Sequence, residues 1–428
     1  MTGLMFKISG GWLLALLAGL PMYVSMGLAV LAFLWLGGFP VTMLPQKMAG
    51  SVNSFPLVAA PLFILMGNIL GAARLTDRIV DFASAIIGWV RGGYAHASVL
   101  SSMIFAGMVG SAVADAAGSG AIEIRAMKKA GYKPETAASI TAAAATIGPI
   151  IPPSLPMVIY GVSADVSVGR LFMAGVVPGV LMGVTLMIMV AFVARAHGMA
   201  RQPFGGWMNV ARSFARGFFA LMTPVVILGG MFSGIFTPTE AAAVSVLYAL
   251  VVGSLIYREI KLKDLYPILR KSVISSAVIM FIIANAGLFA FLITRAGVPG
   301  AIGQWLEQVL QSPFFFLLGV NVALFIIGMF IETGAAIIVL APILVPVAVH
   351  FGIDPIHFGM VMVVNLALGM VTPPFGVNLF AACTVARISL DRIIKDLIPF
   401  IGVVLACLML ISYIPEISLT LRDLVYKK

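Results

Sequence analysis

The sequence predicts an all-α polytopic membrane protein built on an inverted structural repeat, with two re-entrant hairpins and two discontinuous helices. Three observations predict it. The 428 residues are 61% hydrophobic and only 10% charged, with a mean hydropathy of +1.11, whereas an average soluble domain carries roughly 25% charged residues. A shift of 221 residues, without a gap, superposes the region from Gly107 to Pro178 on that from Gly328 to Pro399. It pairs Gly107 with Gly328, Gly131 with Gly352, Pro134 with Pro355, Gly148 with Gly369, Pro152 and Pro153 with Pro373 and Pro374, and Pro178 with Pro399. Finally, 19 of the 26 Lys and Arg fall in five short segments, 73–93, 125–135, 195–216, 258–271 and 387–396.

The elements follow in order. The start, MTGLMFKISGGWLLALLAGL, has the look of a signal peptide but reads as a first span because it has a counterpart in the second half. Apolar spans near 10–21, 22–38 and 54–72 match spans near 218–236, 240–257 and 273–294. An amphipathic stretch follows in each half, DRIVDFASAIIGWV and then VPGAIGQWLEQVL, and such helices lie in the membrane interface. Next come a hairpin, a helix interrupted at mid-membrane and a closing span. At about 20 residues per crossing the chain has room for about ten to twelve. Four blocks result: 1–97 and 197–313 hold the outer spans and arms, and 98–196 and 314–428 hold the hairpins, broken helices and closing spans. The basic arm RQPFGGWMNVARSFARGFF, with Arg201, Arg212 and Arg216, is expected to rest on the cytoplasmic leaflet.

Charge sets the orientation. Five crossings separate the GYKP loop from its GIDP mate, and an odd number makes the repeat inverted. AMKKAGYKP is basic whereas VAVHFGIDP has no Lys or Arg, the contrast that the positive-inside rule requires of an inverted pair. Both termini then face the periplasm. The formal charge of +10 is therefore a topology signal, and nucleic acid is not an expected partner.

Function concentrates at two breaks. TAAAATIGPIIPPSLPMVIYG places Gly148, Pro149, Pro152, Pro153 and Pro156 inside an apolar span, and NLALGMVTPPFGVNLFAA does so with Gly369, Thr372, Pro373, Pro374 and Gly376. Proline removes a backbone donor and clashes with the preceding turn, so the helix must open. Unwound backbone at membrane depth is tolerated only where it is buried in protein or lines a cavity. Just before each break comes a hairpin tip. GMVGSAVADAAGSGA gathers Gly110, Ser111, Asp115, Gly118 and Ser119, and GMFIETGAA supplies Glu332, Thr333 and Gly334. An intramembrane carboxylate is costly, which makes Glu332 a functional candidate; Asp115 is equally a helix cap or local partner. Ser111, Asp115, Ser119, Ser154, Glu332 and Asn378 are the candidate solute contacts. Asn365 and Asn378 either bond between helices or touch solute, and Arg170 and Arg295 either face an anion or snorkel outward. Thr237, Pro238 and Glu240 read as a capping box opening the next span.

SFPLVAAPLFILMGNIL, GSAVADAAGSGAIEIRAMKKAGY, TIGPIIPPSLPMVIYGV, FTPTEAAA and GMVTPPFGVNLF together resemble the large (DctM-type) membrane subunit of the tripartite ATP-independent periplasmic (TRAP) transporters, over essentially the full chain. The resemblance implies an elevator-type secondary transporter of the bacterial inner membrane. It implies a small four-span membrane subunit and a soluble periplasmic binding protein that delivers an organic acid such as a sialic acid or a dicarboxylate. It also implies coupling to sodium, with sites near Ser111, Gly148, Ile151 and Pro153 in one half and Glu332, Thr333, Gly369, Thr372 and Pro374 in the other. No further cofactor is expected.

Two other readings compete. One is a stand-alone sodium–carboxylate symporter of the same architecture. The other is a membrane-embedded hydrolase, against which stand the lack of a nucleophile with a base and of paired catalytic aspartates. Cys383, Cys407 and the four histidines show no metal spacing, and there is no GxxxxGK[ST] phosphate loop.

Overall fold

Pro21 and Pro40 punctuate the start of the chain, and the first helices form between and before them. The structure, a computed structural model, describes residues 2–18, 20–199, 201, 203–297, 300–301 and 312–426. Helices α1 (Thr2–Leu17) and α2 (Met22–Leu36) pack together. The first runs earlier than the expected 10–21, because its turns begin at Thr2 and Pro21 opens the next helix.

The third span keeps its expected bounds, as a continuous helical stretch Phe55–Ala72, and an additional helix precedes it. Helix α3 (Met43–Val52) ends at Asn53, Ser54 is extended, and a 3₁₀ turn (Phe55–Val58) leads into α4 (Ala59–Ala72). Arm helix α5 (Leu75–Ile87) buries Leu75, Ile79, Val80 and Ala83, with Asp77 and Asp81 on its exposed face. That is the amphipathic pattern of an interfacial helix.

The first hairpin descends through α6 (Gly93–Val109), turns at Gly110 and returns through α7 (Ala112–Ala117) and α8 (Ser119–Lys129). Helices α9 (Pro134–Ala145) and α10 (Leu155–Ser163) are the two pieces of the first broken helix, and α11 (Val168–Ala196) is the closing span.

The second half opens on α12 (Trp207–Phe232). This corrects the expected leaflet arm: from Trp207 onward, Arg212 and Arg216 included, the segment forms the first turns of a continuous span. The physical reason is that no Gly or Pro interrupts the run from Trp207 to Arg216, so nothing stops the helix from starting early. Helix α13 (Pro238–Val251) continues through a π-helical turn (Val252–Ile256), and α14 (Leu262–Arg295) is a single 34-residue rod where the first half has α3 and α4. The expected second arm, 298–310, lies outside the described residues apart from 300 and 301.

Hairpin arms α15 (Pro313–Gly328) and α16 (Thr333–His350) follow, then the broken pair α17 (Pro355–Gly369) and α18 (Val377–Ala386), the closing span α19 (Leu390–Tyr413) and a terminal helix α20 (Pro415–Val425). The described residues are helical without a strand. Among the described residues, seven helical stretches are long and apolar enough to span a membrane, and five further apolar helices are shorter.

The repeat is visible at single-residue register. Ser111 and Glu332, 221 positions apart, are the N-caps of the returning hairpin arms. The cis peptides Pro152–Pro153 and Pro373–Pro374 fall at the same offset. The returning arm differs between halves: it breaks at Gly118 in the first, whereas α16 is continuous through Pro342 and Pro346. The halves interlock, α10 packing on α16 and α18 on α7, α8 and α9.

Polar contacts separate two faces. On one, Arg78 pairs with Glu259 (3.8 Å), Arg392 with Glu135, Lys128 donates to the Ala386 carbonyl and Thr136 to Asp396. On the other, Arg422 pairs with Asp354 (2.7 Å), Tyr160 donates to the Pro355 carbonyl, Thr239 to that of Phe55, and Arg170 lies over Tyr426. The first group joins four of the five basic segments. The GYKP loop belongs to it and the GIDP loop to the other, so the repeat is inverted.

Candidate functional site

Each hairpin tip is seated on the unwound stretch of its own half. In the first, Gly110 ends α6 in the left-handed region (φ 62°), and a Cβ there would lie 2.2 Å from the Pro153 carbonyl oxygen. Gly148 faces the same tip: a Cβ on it would meet the Ser111 carbonyl carbon at 3.1 Å and the Ala112 nitrogen at 3.2 Å. Only glycine admits so close an approach of two backbones. Ser111 caps α7, its hydroxyl accepting from Ala114 N–H, while Ser154 caps α10 and donates to the Pro149 carbonyl at 2.5 Å.

The second half repeats the seating with different chemistry. Gly328 and Gly369 touch through their backbones, a Cβ on Gly369 meeting the Gly328 Cα at 2.5 Å. The Gly376 N–H donates to the Met329 carbonyl, tying the break to the tip. Glu332 caps α16 through its side chain, accepting from Ala335 N–H at 3.1 Å, and it remains exposed. Thr333 is buried with its hydroxyl on the Met370 sulfur at 3.0 Å, and Thr372 donates to the Leu368 carbonyl.

The breaks free main-chain oxygens. Among the described residues the carbonyls of Gly148, Ile151 and Pro153 accept no hydrogen bond, nor do those of Thr372 and Pro374. The Gly369 carbonyl is taken by Thr372 N–H, so this glycine serves close packing against Gly328 more directly than ligation. Carbonyl and hydroxyl oxygens are hard donors suited to a small hard cation, and the described residues contain no cluster of His, Cys, Asp or Glu that would hold a transition metal.

The other candidates divide. Ser119 donates to both the carboxylate and the carbonyl of Asp115, so the two form a buried local pair behind the tip. Asn378 is fully buried and neither of its amide atoms has a protein partner; the second carboxylate oxygen of Asp115 is likewise unpartnered. Both sit on elements that pack together, α18 and α7. Asn365 bonds across helices to Asn321, which reaches Ser412. Arg170 lies over Tyr426 at 5.7 Å, and Arg295 is exposed at the end of α14.

Sequence reasoning missed Glu123. Its carboxylate is buried on α8 and receives the hydroxyls of Ser98 (2.5 Å) and Ser101 on α6, which bind the two hairpin arms together. The signal was available as the serines of HASVLSSM facing an acid in GSGAIEI.

The family described as tripartite ATP-independent periplasmic transporter, DctM component, matches residues 10–417. The chain belongs to that family. Among its relatives, the sialic acid TRAP transporter large permease protein SiaM of Vibrio cholerae is 38% identical over 97% of both chains. The C4-dicarboxylate large permease DctM of Pseudomonas aeruginosa is 41% identical over 93% of this chain and 94% of its own. The 2,3-diketo-L-gulonate large permease YiaN of Escherichia coli is 38% identical over the same shares. The YdaH transporter of Alcanivorax borkumensis shares the fold, with a TM-score of 0.63 at 15% identity over 87% of this chain and 88% of its own. This TRAP large permease is thus a multi-pass transport protein and not an enzyme, which removes the hydrolase reading.

Proposed function

We propose that this permease uses an inward sodium gradient to import a carboxylate-bearing organic anion handed over by a periplasmic binding protein. The observation that carries the reading is the doubled seat: twice in the chain, a capped hairpin tip rests on unwound backbone, some of whose carbonyls (Gly148, Ile151 and Pro153, then Thr372 and Pro374) accept no hydrogen bond among the described residues. Sodium would be held near Ser111, Gly148, Ile151 and Pro153 in one half, and near Glu332, Thr333, Thr372 and Pro374 in the other. Sialic acid, C4-dicarboxylates and diketogulonate, the solutes named for several of its relatives, share a carboxylate, and that is the solute class we assign, although one relative is named for isethionate, an organic sulfonate.

Charge sorts the contacts. A carboxylate solute is repelled by Glu332 at short range, so Glu332 serves the cation, while Ser111 and Asn378 offer neutral donors to the solute. Ser154, expected as a solute contact, is instead engaged within the break, donating to the Pro149 carbonyl and accepting from Met157 N–H. Asp115 and Ser119 support the tip from behind. The hairpins and broken helices would travel as one body past α1–α4 and α12–α14, beside a small four-span partner subunit, in the inner membrane with both termini periplasmic.

Reconstituted with its small subunit and binding protein, the permease should take up labelled solute only with sodium outside and receptor present. Uptake equal in choline and sodium would overturn the coupling. Sodium-dependent uptake that ignores the receptor would instead favour the stand-alone symporter.

A further inference from the structure

A cavity of about 630 Å³ opens on the basic face, between arm α5 and the start of α12. Its charges are Arg74, Arg78 and Arg216 against Asp77, Asp81 and Glu259. They do not simply neutralise one another. Arg78 is satisfied, paired with Glu259 and stacked over the Tyr257 ring at 4.0 Å. Arg74 and Arg216 make no ion pair among the described residues, and neither do Asp77 and Asp81, which lie one helical turn apart on the exposed face of α5. Burial, and then the Asp77 charge, push the Asp81 carboxyl above its ordinary range, while the Arg216 and Arg78 charges pull it part of the way back, so both signs of charge are within electrostatic reach in one cavity.

Beside the cavity, from α5 along α12, runs a chain of rings, Phe82 to Phe214 (5.7 Å), Phe214 to Phe218 (5.6 Å), Phe218 to Phe219 (5.3 Å) and Phe219 to Tyr257 (6.4 Å). It reaches the cavity lining where Arg78 stacks on Tyr257. Phe214, Phe218 and Phe219 are exposed. A polar hole carrying both signs of charge, continued by an exposed aromatic strip, has the shape of an amphiphile's partner.

The geometry points to a phospholipid site whose occupant carries a phosphodiester and a primary ammonium, the aminophospholipid class. Arg74 and Arg216 take the phosphate, Asp77 and Asp81 take the ammonium, and the aromatic strip takes the acyl chains. A quaternary ammonium cannot donate hydrogen bonds to the two carboxylates, and an anionic glycerol headgroup leaves them unpaired, so both should bind less well.

Native mass spectrometry of the full chain tests this, with phosphatidylethanolamine, phosphatidylcholine and phosphatidylglycerol added separately. The ethanolamine lipid should be retained about tenfold better than the other two, one charge-assisted hydrogen bond being worth that much. Arg74→Ala with Arg216→Ala should weaken all three, and Asp77→Asn with Asp81→Asn should abolish only the preference for ethanolamine. Equal retention of the three lipids by the native chain overturns the proposal even if a variant fails to fold. So does equal competition by soluble glycerophosphoethanolamine, which would mark a phosphate-ester site. Exclusion of all lipid by a copurifying membrane subunit would mean that the cavity is a protein interface.

Discussion

A methyl group on Gly110 would sit 2.2 Å from the Pro153 carbonyl oxygen, on a backbone at φ 62°. Gly110→Ala is therefore expected to unseat the first tip, at a cost of about 1–3 kcal/mol, and to abolish sodium-dependent uptake while the protein still assembles in the membrane; wild-type uptake in that variant would rule out the seat. Glu332 separates two roles. Glu332→Gln keeps an oxygen for the Ala335 N–H and loses the charge, so the sodium concentration for half-maximal uptake should rise several-fold with little change in melting temperature. Glu332→Ala should in addition lose a cap, about 1 kcal/mol. Identical sodium titrations in wild type and Gln variant would leave Glu332 as a cap alone. The tips were legible from composition because small residues, hydroxyls and prolines stood together in apolar spans. The taking of the Gly369 carbonyl and the isolation of Asn378 were not legible, since both depend on partners that only the folded chain assigns.

Among the elements, α13 shows how local chemistry fixes a boundary. Thr237 Oγ accepts from Glu240 N–H, and the Glu240 carboxylate accepts from the Thr237 N–H at 2.8 Å, with Pro238 at the first helical position. Thr237→Ala should lower stability by about 0.5–2 kcal/mol, read as a downward shift in thermal melting with sodium titration unchanged. Helix α20 is held by a longer-range tie. Burial alone would raise the Asp354 carboxyl, but the Arg422 guanidinium and the N–H groups of Ile356 and His357 more than offset it, leaving it below the ordinary carboxylate range. A depressed carboxyl stabilises above its unfolded value of about 3.9 and loses that contribution as pH falls toward its lower folded value. Amide protection in 415–425, measured relative to the intrinsic exchange rate at each pH, should thus fall below about pH 4, and Asp354→Asn should show low protection at every pH; a wild type whose protection does not change with pH would show that the tie does not hold α20. The broken helices, hairpins and cap were readable because Gly, Pro and Thr act on their own neighbours. The early start of α12 and the extra helix α3 ahead of the third span were not, because long-range packing decides where a helix of mixed composition forms and bends.

At the scale of the whole molecule, the clustering of Lys and Arg translates into two chemically distinct ends. Both native cysteines are buried, so single introduced cysteines report access cleanly. Lys133→Cys should react with an impermeant maleimide only from the cytoplasmic side, and Arg170→Cys, exposed on the other face, only from the periplasm; labelling of both from one side would refute the assignment of the two faces to opposite sides of the membrane. The repeat was legible because Gly and Pro recur at a fixed offset, and the faces because charge is excluded from lipid. The interlock was hidden, since side-by-side order in sequence does not say that α10 packs on α16 and α18 on α7. That interlock sets a timetable for biogenesis. Helix α10 ends at Ser163 and its partner α16 begins at Thr333, so at roughly 5–20 residues per second the ribosome needs about ten to thirty seconds to deliver the second after the first. For that interval the newborn first half sits in the bilayer with its opened peptide groups leaning only on their own hairpin, and the insertion machinery has to shelter them from lipid until the other half arrives.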